Sequence, residues 1–142
     1  PAESAYSNRA AIVSMPLDSV PVTLQPGENY LWALMLVCNS RNRAEDIVVD
    51  VVVQRIGDEY LNTLSTELAA PLASEAPVAT DAELTLYGNA GLWQDLLAAL
   101  AARKQAEPER YKAAWSDLLA AQGMEAIADA PIYQAHLQPL HP

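Results

Sequence analysis

One cysteine, eight basic residues and no long apolar run are found in the 142 residues, and each shortage removes a class of function. With Cys38 alone, neither an intramolecular disulfide framework nor a multi-cysteine zinc or iron–sulfur site can form within the chain. The eight Lys and Arg form no basic run and stand against 18 Asp and Glu, for a formal charge of −10. Nucleic-acid affinity comes largely from cations that displace counterions from phosphates, so the sequence argues against a nucleic-acid partner and against an anionic membrane surface. The longest apolar stretch, Leu31 to Cys38, falls far short of the ~20 residues of a spanning helix. Neither a G-x-S-x-G elbow, a P-loop, a dinucleotide glycine pattern nor a D-x-D-x-D-G calcium loop is present. The expectation is a protein without enzymatic activity, cofactor or metal.

What the chain does contain is segregated. Nine of its ten valines precede residue 60, whereas 20 of its 26 alanines follow it, which separates strand formers from helix formers. Charge divides likewise, −2 over residues 1–57 and −8 over residues 58–142. This is an α+β pattern: an N-terminal antiparallel sheet resembling an incomplete sandwich, then a helical part. Three regions follow: a β-rich part over 1–57, a helix with an Ala/Pro linker over 58–79, and a helical part over 80–142.

Ala11–Met15 and Val20–Leu24 are short apolar runs, each stopped by proline. Tyr30–Cys38 is nearly all apolar, as in a strand covered on both faces. Asp46–Ile56 is too β-branched for a helix, and the polar connector Asn39–Glu45 suits the tip of an antiparallel hairpin. Alternation sets Ile47, Val49, Val51 and Val53 on one face and Val48, Asp50, Val52 and Gln54 on the other, the wetter or partner-facing side.

After Gly57 the period turns helical through Tyr60, Leu61, Leu64 and Leu68, with Asp58 as the capping residue. Thr80 and Glu83 have capping-box spacing for a helix that ends near Gly88. Leu92, Trp93, Leu96, Leu97 and Leu100 make the stripe of the next, whose end carries Arg103 and Lys104 where cations suit the helix dipole. Pro108 opens a helix with Tyr111, Trp115, Leu118 and Leu119 on one side, closed by Gly123. Met124–Ala130 is a short last helix, and the tail from Ile132 shows no period. Gly88–Leu100 also resembles a tetratricopeptide helix pair, with too few units for a repeat array.

Catalytic candidates are weak. A Cys38 nucleophile needs a histidine beside it, and both histidines, His136 and His141, fall in the irregular tail, so Cys38 reads as a small buried hydrophobe at a strand end. The histidines are five apart, which misses a shared helical face, and they read as solvated. Asp50 among valines reads as a salt-bridge partner of Arg41, Arg43 or Arg55 rather than as a functional buried carboxylate. The Asp58-Glu59 and Glu107/Glu109 pairs read as solvated helix ends. Tyr30, Trp32, Val48, Asp50, Val52, Trp93 and Trp115 are the candidates for interaction or packing.

Tyr30-Leu31-Trp32 entering a strand that ends in Cys38, then Arg43, Asp46-Ile47 and Val53-Gln54-Arg55, resemble a cyanobacterial family, domain of unknown function 928. Leu86-Tyr87, Ala90-Gly91-Leu92-Trp93, Asp95 and Leu100, then Trp115, Leu118-Leu119 and Ile127-Ala128, continue the resemblance, which spans about residues 11–131. It implies an exported, extracellular or periplasmic protein and supplies no catalytic residues. Pro1 in place of Met fits export with processing, or a fragment. Family members carry further strand-forming sequence ahead of the segment matching Ala11–Leu17, where only Pro1–Ala10 stands here. A sheet short of strands exposes edges that recruit other chains. The expected function is therefore a non-enzymatic interaction protein of the cell exterior, a self-assembling surface-filament subunit completed by neighbours' strands. The alternatives are a ligand-binding or sensory accessory domain with a pocket near Trp32, Trp93 and Trp115, and, further behind, a hydrolase using Cys38 or Asp50.

Overall fold

The computed structural model describes residues 10–15, 22–67 and 80–135. The expected histidines, and the Ala/Pro linker up to residue 79, lie outside them. The elements are β1 (Ile12–Ser14), β2 (Asn29–Leu36), β3 (Ile47–Gln54), α1 (Asp58–Glu67), α2 (Asp81–Ala90), α3 (Trp93–Ala106), α4 (Pro108–Ala121) and β4 (Ile132–Gln134). Single 3-10 turns cover Arg43–Glu45 and Glu125–Ile127. The class is α+β. The chain divides into two compact units, one over residues 22–63 and the other combining the N-terminal residues with those from 64 onward.

In the first unit β2 and β3 pair antiparallel over eight residues each, from Asn29 opposite Gln54 to Leu36 opposite Ile47. The hairpin begins and ends within two residues of the positions expected from sequence. Its tip is held by short-range polar contacts. The Asn42 side chain accepts from the Ala44 N–H and donates to Glu45 at 2.8 Å, while Arg43 pairs with Asp46 three residues on. At the open end Gly27 N–H donates to the Arg55 carbonyl at 2.8 Å, and the Gln54 amide donates to the Gly27 carbonyl at 2.7 Å. Of the expected strand at Val20–Leu24, residues 22–24 adopt no strand. Asp58 is the first residue of α1 rather than its cap, because the first helical bond runs from Leu61 N–H to the Gly57 carbonyl.

In the second unit the core is Leu100, Tyr111, Trp115, Leu119 and Ala128, with Leu84, Leu97, Leu118 and Ile127 packed around it. The capping box at α2 forms as its spacing predicts: Thr80 Oγ1 accepts from Glu83 N–H at 3.2 Å, and Glu83 Oε2 accepts from Thr80 N–H at 2.6 Å. Gly88 lies inside α2, whose end falls at Gly91. The left-handed φ of +70° is taken by Gly91, which lets Leu92 N–H reach back to the Tyr87 carbonyl. Pro108 bars α3 from continuing, and Glu107, at φ −134° and ψ 72°, makes the corner into α4. The tail expected to lack structure contributes β4, which pairs in parallel with β1, Ile12 opposite Ile132. The N-terminal strand is thus not part of one sheet with the hairpin, because burial of Ile12 and Ile132 on the helical core decides its partner.

Candidate interaction site

Alternation along the two hairpin strands sorts their side chains onto two faces. One face carries Tyr30, Trp32, Leu34 and Leu36 from β2, opposite Val53, Val51, Val49 and Ile47 from β3. All eight are apolar. The other carries Leu31, Ala33 and Met35 opposite Val52, Asp50 and Val48, with Asn29 and Gln54 at the end. The expectation that β2 is covered on both faces is corrected: Leu31 is 68% exposed, Val52 61%, Val49 54% and Leu34 42%. Only Tyr30, Trp32 and Val53 are half-buried in this sheet. Tyr30 is further fixed by accepting the Gln25 N–H at its hydroxyl, 2.8 Å away.

Two expectations at polar positions are overturned. Asp50 forms no ion pair or hydrogen bond among the described residues: Arg43 is taken by Asp46, Arg55 by Asp58, and Arg41 forms no ion pair with it. Each of those partners is three residues away, so pairing costs far less chain entropy than reaching the sheet centre. Cys38 is exposed rather than buried, since it follows the last paired residue of β2 on an uncovered hairpin.

The candidates are divided between the two units. Tyr30 and Trp32 share one hairpin face and Val48, Asp50 and Val52 the other, whereas Trp93 at the start of α3 and Trp115 inside α4 belong to the helical unit. Trp115 is core, and its indole N–H donates to the Ala128 carbonyl at 3.1 Å.

A cluster that spacing did not reveal ties α2 to α3 and α4. Asp81 accepts from the Tyr111 hydroxyl at 2.6 Å, from Arg103 at 3.1 Å and from Arg110 at 3.0 Å. Glu107 pairs with both arginines, at 3.4 and 3.2 Å, and the guanidinium carbons lie 4.8 and 5.3 Å from the Tyr111 ring centroid. The Tyr111 and Arg103 hydrogen bonds, with the Arg110 charge, hold the Asp81 carboxyl below its ordinary 3.8. The same Asp81 bond, with burial, holds Tyr111 above 10.0. A lowered carboxylate contributes stability above its unfolded value that is lost as pH falls through the folded one. A raised phenol contributes stability below its unfolded value that is lost as pH rises through the folded one. Unfolding midpoints across pH should therefore decline below about 4 and above about 10 in the native chain. In Asp81→Asn both declines should flatten, and an unchanged profile would remove the cluster as their cause.

Beside this cluster a shallow groove of about 530 Å³ runs over Leu84, Leu96, Leu100 and Leu118, with Asp81, Tyr111 and Asp117 among its lining. The acids and bases of the cluster neutralise one another and leave no unpaired base beside a nucleophile. Among the described residues no three His, Cys, Asp or Glu are grouped to hold a metal, and no helix is long and apolar enough to cross a membrane. The hairpin offers exposed apolar side chains and unpaired backbone edges among the described residues.

No curated protein and no solved structure matches the chain. A family model described as Domain of Unknown Function (DUF928) matches residues 2–132. That match takes in the hairpin and the four helices found among the described residues, and the chain belongs to the DUF928 family.

Proposed function

We propose that this protein is a non-enzymatic assembly subunit of the cell exterior, whose β2–β3 hairpin is completed by strands of neighbouring chains, in the extreme as a surface filament. The observation that carries this reading is the hairpin itself. It is a two-stranded sheet with no further strand on either edge among the described residues, and with apolar side chains exposed on both faces. An isolated two-stranded sheet is marginal in water, and exposed apolar strands mark interaction surfaces. Native mass measurement and electron microscopy of the purified chain test it. Concentration-dependent species above 15.3 kDa, or filaments, are the expected result. A monodisperse monomer up to high micromolar concentration removes the proposal.

The α2–α4 groove supports a second reading, a ligand-binding or sensory accessory domain. The two differ in where damage matters: changes at Leu84 or Leu118 would abolish ligand binding and leave assembly intact.

A further inference from the structure

We infer that the strand completing this sheet is β2 of a second copy of the same chain, paired antiparallel about a two-fold axis centred on Ala33. The inference rests on the assembly reading above and goes further by naming the edge, the partner and the register.

The two edges of the hairpin differ in what they present. The β3 edge has Asp50 at its centre, opposite Ala33 of β2 and without an ion-pair partner among the described residues. In an antiparallel pair directly opposite residues share a face, so a two-fold axis normal to the sheet must pass through a residue position. Centring β3 on Asp50 sets carboxylate against carboxylate. Centring it on Val49 or Val51 sets Asp50 against Val48 or Val52 of the second copy. A charge directed into the pairing face is the device by which edges are kept unpaired.

The β2 edge has no such guard. Asn29–Leu36 contains no charged residue and no proline, over eight residues or about 27 Å. Centring on Ala33 places Trp32 opposite Leu34, Leu31 opposite Met35, Tyr30 opposite Leu36 and Asn29 opposite Val37 of the second copy. Every pair but the last is apolar on both sides, and each large aromatic meets an aliphatic side chain. Shifting the centre to Trp32 brings Asn29 opposite Met35, and shifting it to Leu34 carries the pairing onto Val37 and Cys38, past the end of β2, so within Asn29–Leu36 the centre at Ala33 gives the longest all-apolar overlap, Tyr30 to Leu36.

The product is a four-stranded sheet in the order β3-β2-β2-β3. That count passes the three strands at which a sheet with an apolar face becomes independently stable. It also doubles the all-apolar face to 16 side chains, eight from each copy. The net charge of −10 opposes association of identical chains, but none of the 18 acids lies between Asn29 and Leu36, so repulsion is not focused at the seam.

The test is site-directed cross-linking in the full chain with Cys38→Ser. At the two-fold centre the paired Cα atoms sit about 4.5–5.5 Å apart, within disulfide reach. Ala33→Cys treated with a mild oxidant should give a covalent dimer, whereas Val48→Cys and Val51→Cys on β3 should not. Leu31→Lys should weaken the dimer about tenfold or more in sedimentation equilibrium, with an unchanged far-ultraviolet spectrum showing that the fold is kept. Cross-linking through β3 but not through Ala33 would overturn the edge and register while leaving assembly standing. A monomer at every concentration, with no cross-link at any position, would overturn both.

Discussion

Replacing Trp115 by alanine should destabilise the helical unit by about 3–5 kcal/mol, a large part of the roughly 5–15 kcal/mol that holds a typical domain folded. The side chain is 1% exposed and sits among Leu100, Tyr111, Leu119 and Ala128, so its removal leaves a cavity that two helices and a 3-10 turn cannot readily close. It also removes the indole donor to the Ala128 carbonyl, which keeps only the Lys104 ammonium at 3.3 Å. That ammonium in turn loses the indole face 5.3 Å away. Urea unfolding followed by circular dichroism measures the effect as a lower midpoint. A loss under about 1 kcal/mol would mean that Trp115 is not the centre of this core.

Leu86→Ala and Leu31→Ala delete the same atoms and should give opposite results in two assays. Leu86 is fully buried in α2, so its truncation should cost the folded chain about 2–5 kcal/mol. Leu31 is 68% exposed on β2, so its truncation should change the stability of the isolated chain by about 0.5 kcal/mol or less. In the association assay the order should invert, because Leu31 lies at the β2 seam while Leu86 belongs to the helical unit. Equal effects of the two changes on unfolding would show that Leu31 is already covered within one chain, and the hairpin would then need no partner.

Much of the local structure is legible in the residues because local physics decides it. The β-branched Ile47–Gln54 disfavours a helix, Thr80 and Glu83 satisfy two orphan N–H groups, and Pro108 cannot continue α3. The end of α2 is less legible, since Gly88 and Gly91 are both plausible stops. Only the backbone that turns back onto Tyr87 selects Gly91. Of the site, the hairpin and its two faces follow from alternation. Its exposure does not, because an all-apolar strand has the same pattern whether its cover comes from its own chain or from another.

The sequence by itself determined the α+β order, the antiparallel hairpin and the starts of α2 and α4, all set by interactions between residues near in the chain. Tertiary structure alone decided three further matters. Ile12 pairs with Ile132 across 120 positions because both side chains pack on the Trp115 core. Asp81 meets Arg103, Arg110 and Tyr111 only after α3 and α4 have folded back on α2. Asp50 stays without an ionic partner among the described residues, while Arg43 and Arg55 pair with carboxylates three residues away. Long-range pairing depends on which surfaces the core brings together, and that geometry is not encoded in the spacing of any one segment.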